Sequence, residues 1–133
     1  MKDYDGKVRL VLKLNPYKYR DFAHLAAEAA RSAFAQGKFE KMHYTMLENS
    51  PKLDRESLMK YAEASGLDMR VFAEDLDKMR HQGEIERDKA LAKELDLYNT
   101  PAFFINGRKV LGNVPYEHFK KVLDEELIDA KGK

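Results

Sequence analysis

Asn99-Thr100-Pro101-Ala102-Phe103-Phe104-Ile105-Asn106-Gly107-Arg108-Lys109-Val110-Leu111 is the stretch that decides the fold. Pro101 stands at the first position of a strand candidate, where a missing N–H costs least. Asn106-Gly107 supplies the two positive-φ positions of a tight hairpin, and Arg108-Lys109-Val110-Leu111 returns as the partner strand. Gly112 and Pro115 follow as turn residues. A final helix is expected over Tyr116–Ile128, burying Phe119, Val122, Leu123 and Leu127 at helical spacing.

Upstream of this hairpin the periodicity is helical. Phe22, Leu25, Ala26, Ala29, Ala30, Ala33 and Phe34 form one apolar stripe on a long helix from about Asp21, its alanines implying close approach to a neighbour. Gly37 punctuates, and Phe39, Met42, Met46 and Leu47 mark a second, shorter helix. Asp54 reads as the N-cap of a helix over Arg55–Ser65 that Gly66 ends. Asp68 caps another, carrying Val71, Phe72, Leu76 and Met79 inward. Gly83 is expected to interrupt before Ile85, Leu91, Ala92 and Leu95 continue as a helix to about Leu95.

At the front, Val8-Arg9-Leu10-Val11-Leu12-Lys13-Leu14, closed by Asn15-Pro16, has the continuously apolar middle of a strand buried on both faces. The order strand, helices, hairpin, helix predicts an α/β layer with an inserted helical subdomain. No run approaches the ~20 apolar residues of a membrane span. Met1–Gly6 is charged and has no signal-peptide core behind it. The chain as written therefore reads as soluble and unexported, with its compartment open.

Composition narrows the chemistry. In 133 residues there are 24 Lys+Arg against 23 Asp+Glu, which offers no field for nucleic acid or an anionic membrane. There is no cysteine, and so no disulfide framework, thiolate metal site or thiol nucleophile from this chain. His24, His43, His81 and His118 lack companions at metal-ligand spacing, and neither metal nor cofactor is expected. His43 reads as a half-buried histidine hydrogen-bonded to backbone. Glu84, Glu86 and Asp88, mixed with Arg87 and Lys89, read as a solvated helix face. Tyr17, Tyr19 and Arg20 form a candidate ligand-facing patch where the first strand meets the helices. No G-x-G-x-x-G, P-loop or G-x-S-x-G motif supports nucleotide or acyl-transfer chemistry.

Asn99–Arg108, then Leu111-Gly112-Asn113-Val114-Pro115-Tyr116-Glu117-His118-Phe119, resembles the C-terminal half of a DsbA-like thioredoxin-fold protein. That family typically reads G-T-P-x-F-F-I-N-G-x here and then G-x-x-P-Y-x-x-F. Leu25–Ala30 and Gln36–His43 resemble the start of its helical insertion, and Gly66-Leu67-Asp68 with Phe72 its later part. The likeness runs from about Val8 to Leu127. It implies one domain over 1–133, thioredoxin-like over about 8–20 and 97–128, with the insertion over about 21–96. It further implies a cis Thr100–Pro101 bond, with Asn99, Thr100 and Pro101 as the loop that contacts an extended peptide. The Phe103–Gly107 hairpin fits the oxidoreductase branch better than the related glutathione-dependent isomerases and transferases.

Two departures from the family carry consequences. Asn99 replaces its usual Gly, so the turn into the proline strand is expected to rest on asparagine's tolerance of left-handed φ. The larger one lies in front. The family places a strand and a helix opening with C-x-x-C before the strand matching Val8–Leu14, yet only seven residues precede Val8. The resemblance thus implies an N-terminally truncated thioredoxin-like sheet without its interior strand, and no unaided disulfide exchange. The gap has three repairs: direct pairing of the flanking strands, a homodimer, or a peptide or protein partner adding a strand. Dimerisation or edge coverage ranks first, because Val8–Leu14 is too apolar for a solvated edge. A C-x-x-C segment supplied from upstream sequence is the enzymatic alternative.

Overall fold

The computed structural model describes residues 2–131 and divides the chain into two compact units. One comprises the residues up to Leu12 together with those from Ala92 onward; the other is Lys13–Leu91.

The Lys13–Leu91 unit is a helical assembly with its own core. Its helices are α1 (Ala23–Ala35), α2 (Phe39–Asn49), α3 (Arg55–Ser65) and α4 (Met69–Lys78); α5 (Gln82–Glu94) begins within it. Local chemistry fixes the boundaries. The Asp54 carboxylate accepts the Ser57 N–H at 3.0 Å, and Asp68 accepts the Val71 N–H at 3.0 Å. Each thereby satisfies a first-turn donor that has no partner in the helix. Gly66, at φ 77°, ends α3 in the left-handed conformation that its missing Cβ makes cheap. Ala29, Ala30 and Ala33 let α1 approach closely, so that Met42, Leu58, Ala62 and Phe72 are sealed from solvent around them.

Three details differ from the periodicity. Phe34 and Leu47 lie exposed; α1 ends one residue after Phe34 and the chain turns at Gly37, so that ring meets Phe39 edge-on instead of the core. Gly83 does not interrupt α5 but sits in its first turn, where the N–H groups have no intrahelical acceptor in any case. His43 stacks on Phe39, with ring centroids 5.0 Å apart, and burial pushes its pKa down.

The second unit holds the hairpin. β1 (Ala102–Ile105) and β2 (Arg108–Leu111) pair antiparallel with Phe103 opposite Val110, and Asn106 and Gly107 take the positive-φ turn positions. α6 (Tyr116–Lys131) covers the face carrying Phe103 and Val110. Phe119 meets Phe103 edge-on at 4.7 Å, and Val110 and Val122 are buried. A short 3-10 turn, Lys2–Tyr4, joins this unit: the Tyr4 hydroxyl donates to Asp124 at 2.8 Å, and the Tyr116 hydroxyl donates to Asp3.

The expected first strand is the main correction. Val8–Leu14 forms no strand; Leu10, Val11 and Leu12 are 65%, 61% and 39% exposed. The described residues contain one sheet, and it has two strands. Residues 8–14 therefore lack a neighbouring strand to take up their N–H and C=O groups, and apolar composition alone does not make a ladder. Direct pairing of this segment with β1 does not occur in the structure.

Candidate functional site

Asn99, Thr100 and Pro101 lie at the entry to β1, and all three are exposed. Two interactions place the loop. The Pro101 carbonyl accepts the Gly112 N–H at 2.9 Å, extending the hairpin ladder by one bond beyond the Ala102–Leu111 pair. On the other side, Lys109 donates to the Leu95 carbonyl at 3.1 Å, and its ammonium lies 5.6 Å from the centre of the Phe104 ring. That is within cation–π range. β2 thus holds both the end of α5 and the start of β1, with the loop strung between them.

The Thr100–Pro101 bond is cis, as is Ser50–Pro51. Thr100 is exposed, and among the described residues no backbone hydrogen bond engages its N–H or C=O beside the strand end. The left-handed turn assigned to Asn99 falls instead at Asp96, whose φ is 53°. Asp96 lies two residues past the end of α5, so the reversal is complete before Asn99 is reached, and Asn99 needs no special φ. Tyr98 leans back on that turn: its hydroxyl donates to Asp96 at 3.1 Å, and this bond raises the tyrosine pKa.

Tyr17, Tyr19 and Arg20 belong to the helical unit, just before α1. The two tyrosine rings stack face to face, 5.2 Å apart and 8° from parallel, and the Arg20 N–H donates to the Tyr17 carbonyl at 3.3 Å. Tyr19 and Arg20 are exposed. The structure therefore brings these three residues together as a small aromatic and cationic surface.

The most constrained polar groups were not visible as such in the sequence. Asp88, assigned above to a solvated helix face, is only 4% exposed. Its carboxylate accepts the Leu14 N–H at 3.0 Å, Lys13 at 2.9 Å and Arg31 at 3.0 Å. Burial alone would push its pKa up, but the Leu14 N–H and the charges of Lys13 and Arg31 outweigh that and hold it below the usual aspartate range. Asp88 so fixes the point where the chain leaves the apolar run Val8–Leu14. A second buried group joins α1 to the turn after α4. The Ser32 hydroxyl donates to Asp75 at 2.8 Å, Arg80 pairs with Asp75 at 2.8 Å, and Glu28 accepts the His81 N–H at 2.7 Å. The only hint was spacing: Glu28 and Ser32 lie one turn apart, flanked by the alanines of the buried stripe.

None of these groups brings a thiol. Among the described residues no three His, Asp or Glu side chains converge as a metal-binding cluster. No helix of the described residues is long and apolar enough to cross a membrane.

Comparison with known proteins follows the same lines. A family model described as thioredoxin matches residues 1–125. The structure superposes on a thioredoxin-like oxidoreductase from Silicibacter pomeroyi DSS-3 with a TM-score of 0.81 at 29% identity, covering 93% of this chain and 71% of that one. It also superposes on oxidised BdbD from Bacillus subtilis with a TM-score of 0.73, covering 84% of this chain and 65% of the other; at 21% identity that likeness is one of fold. Among curated proteins, 95 residues are 40% identical to a Na(+)/H(+) antiporter NhaA 3 from Salinispora tropica, over 71% of this chain. A further 100 residues' match, at 34% identity, is to the antiporter NhaA of Herminiimonas arsenicoxydans. The chain spans only 14% and 16% of those two antiporters.

Proposed function

The chain belongs to the thioredoxin family, and on that premise we propose that it is a DsbA-like domain of the protein-disulfide oxidoreductase group that contacts extended peptides through Asn99, Thr100 and Pro101 and exchanges no disulfides unaided. The observation that carries this reading is the exposed Thr100 at the end of a paired strand, its backbone without a hydrogen-bond partner among the described residues. An extended peptide laid there gains strand-like hydrogen bonds, which are indifferent to its side chains and so suit a broad set of substrates. The chemistry is limited by composition. Disulfide exchange begins with a thiolate attacking a disulfide sulfur, and this chain has no cysteine.

Two measurements test the proposal. In insulin reduction the purified chain should add nothing to the rate of the reductant alone; clear turnover would refute the thiol-free reading. Titration with an extended, cysteine-free peptide, followed by amide chemical shifts, should move Asn99, Thr100 and Ala102 first. Shifts confined to the Tyr17–Arg20 surface would place the contact elsewhere.

A second reading is favoured by the exposure of Leu10, Val11 and Leu12: an interaction module that dimerises, or adds a partner's strand, along the Val8–Leu14 segment. Light scattering at micromolar concentration separates its arms, since a stable monomer excludes the homodimer. A third reading, an active oxidoreductase whose C-x-x-C segment lies in sequence upstream of this chain, predicts that such a segment added in trans restores insulin reduction. We read the antiporter matches as likeness of a domain, and assign no ion transport to this chain.

A further inference from the structure

The helical unit contains a fully buried carboxyl group with half of its bonding capacity unused. Glu28 is 0% exposed. Its Oε1 accepts the backbone N–H of His81 at 2.7 Å, tying the middle of α1 to the turn between α4 and α5. Its Oε2 is buried and has no hydrogen-bond partner. An ionised carboxylate presents two oxygens that both need donors, and burying it with one unsatisfied is costly. A carboxylic acid still accepts the His81 N–H at Oε1, and leaving its other oxygen unpartnered costs less than leaving a buried charge half-satisfied.

The charged surroundings do not favour the ion. On α1 itself, the Arg31 guanidinium is turned to Asp88 and Glu84, at 3.0 and 3.3 Å, and Ser32 donates to Asp75. From α4 comes the carboxylate of Asp75, and from α5 that of Glu84; both push the Glu28 pKa upward. In the turn between these helices Arg80 is paired with Asp75, while the His81 ring lies 3.4 Å from Asp75 and 3.9 Å from Glu84. The side chains that α2 and α3 bring to the core against α1 are Met42, Met46, Leu58 and Ala62. Burial is the largest influence on Glu28 and raises its pKa; the His81 N–H and ring oppose it without cancelling it.

We propose that Glu28 is a proton-linked clasp: protonated at Oε2 it closes α1 onto the α4–α5 turn through the His81 N–H, and loss of that proton as pH rises leaves a buried charge that loosens this seam. The sign follows from linkage. A carboxyl group that binds its proton more tightly when folded adds stability in full below the ordinary carboxyl range. That stability is lost as pH rises toward the folded group's own titration, and is gone above it.

The test is urea unfolding of the full chain and of Glu28→Gln between pH 4 and 9. Glutamine keeps the acceptor for His81 and cannot ionise. Relative to the variant, the unfolding constant of the wild-type chain should rise by up to tenfold per pH unit above about pH 4.3, then level off once Glu28 has ionised. Parallel profiles would overturn the proposal. A second measurement needs no variant: in the wild-type chain the Glu28 side-chain carboxyl carbon should titrate above the other glutamates, with the His81 amide proton shift moving at the same midpoint. A Glu28 midpoint in the ordinary range, or a His81 amide that ignores it, would equally sink the clasp.

Discussion

The two units solve the burial problem differently. In the helical unit, Lys13–Leu91, four helices close on one another around Phe72, Met42 and Leu58, and its buried carboxyls reach partners at Leu14, Arg31, Ser32 and His81, with Glu28 Oε2 left over. In the unit built on the hairpin, a single helix covers one face of two short strands. Phe104 and Leu111, on the opposite face, stay exposed, as do Leu10 and Val11 in the unpaired segment. A helix satisfies its backbone internally, so a helical insertion can be complete by itself. A strand needs a neighbour, and a two-stranded sheet is only marginally stable alone. The difference is one of hydrogen-bond bookkeeping, not of hydrophobicity, since both units are rich in apolar residues.

Substitutions can break or sharpen that contrast. The largest effect is expected for Phe72→Ala, which empties a sealed site in the helical core. A loss of about 3–5 kcal/mol in urea unfolding is predicted, and a loss below 1 would mean that this core is not closed. Next comes Asp88→Asn, which keeps an acceptor for the Leu14 N–H but removes the charge that Lys13 and Arg31 bind. About 2 kcal/mol should be lost at neutral pH. Because the folded pKa of Asp88 is depressed, its contribution is present above the usual carboxylate range and fades as pH falls through the folded value. The Asn variant should therefore converge on the wild type in acid and fall below it as pH rises, whereas against Glu28→Gln it is the wild type that loses stability as pH rises. In the hairpin unit, Val110→Ala removes two buried carbons and should cost about 1.5 kcal/mol. Leu111→Ser, on the exposed face, should change stability by less than about 0.5 kcal/mol. A larger loss would show that this face is covered in solution, most simply by another copy of the chain, which light scattering would then detect.

Much of the fold was legible from the sequence. Asp54 and Gly66 bound α3, and Asn106-Gly107 sets the hairpin register, because caps and turns are chosen by a few residues acting on their own neighbours. The Val8–Leu14 segment departs from expectation for the complementary reason. Its apolar run predicts a buried strand, but pairing depends on residues distant in the chain. The Asn99 turn failed in a similar way: a family Gly suggested where φ would be positive, whereas the reversal is made three residues earlier at Asp96. In the candidate site, Thr100 and Pro101 could be found from the resemblance. Glu28 and Asp88 could not, because a charged residue among charged residues carries no mark of burial until the helices are packed.

Amide hydrogen exchange on the full, unliganded chain tests the central contrast most directly. Amides of Leu58–Ala62 and Phe72–Leu76 should be protected nearly to the level of global unfolding, while Leu10, Val11, Leu12 and Thr100 exchange at close to unfolded rates. Protection of Leu10–Leu12 equal to that of α3 would contradict the account, since it would place this segment in a ladder that the fold described here does not contain.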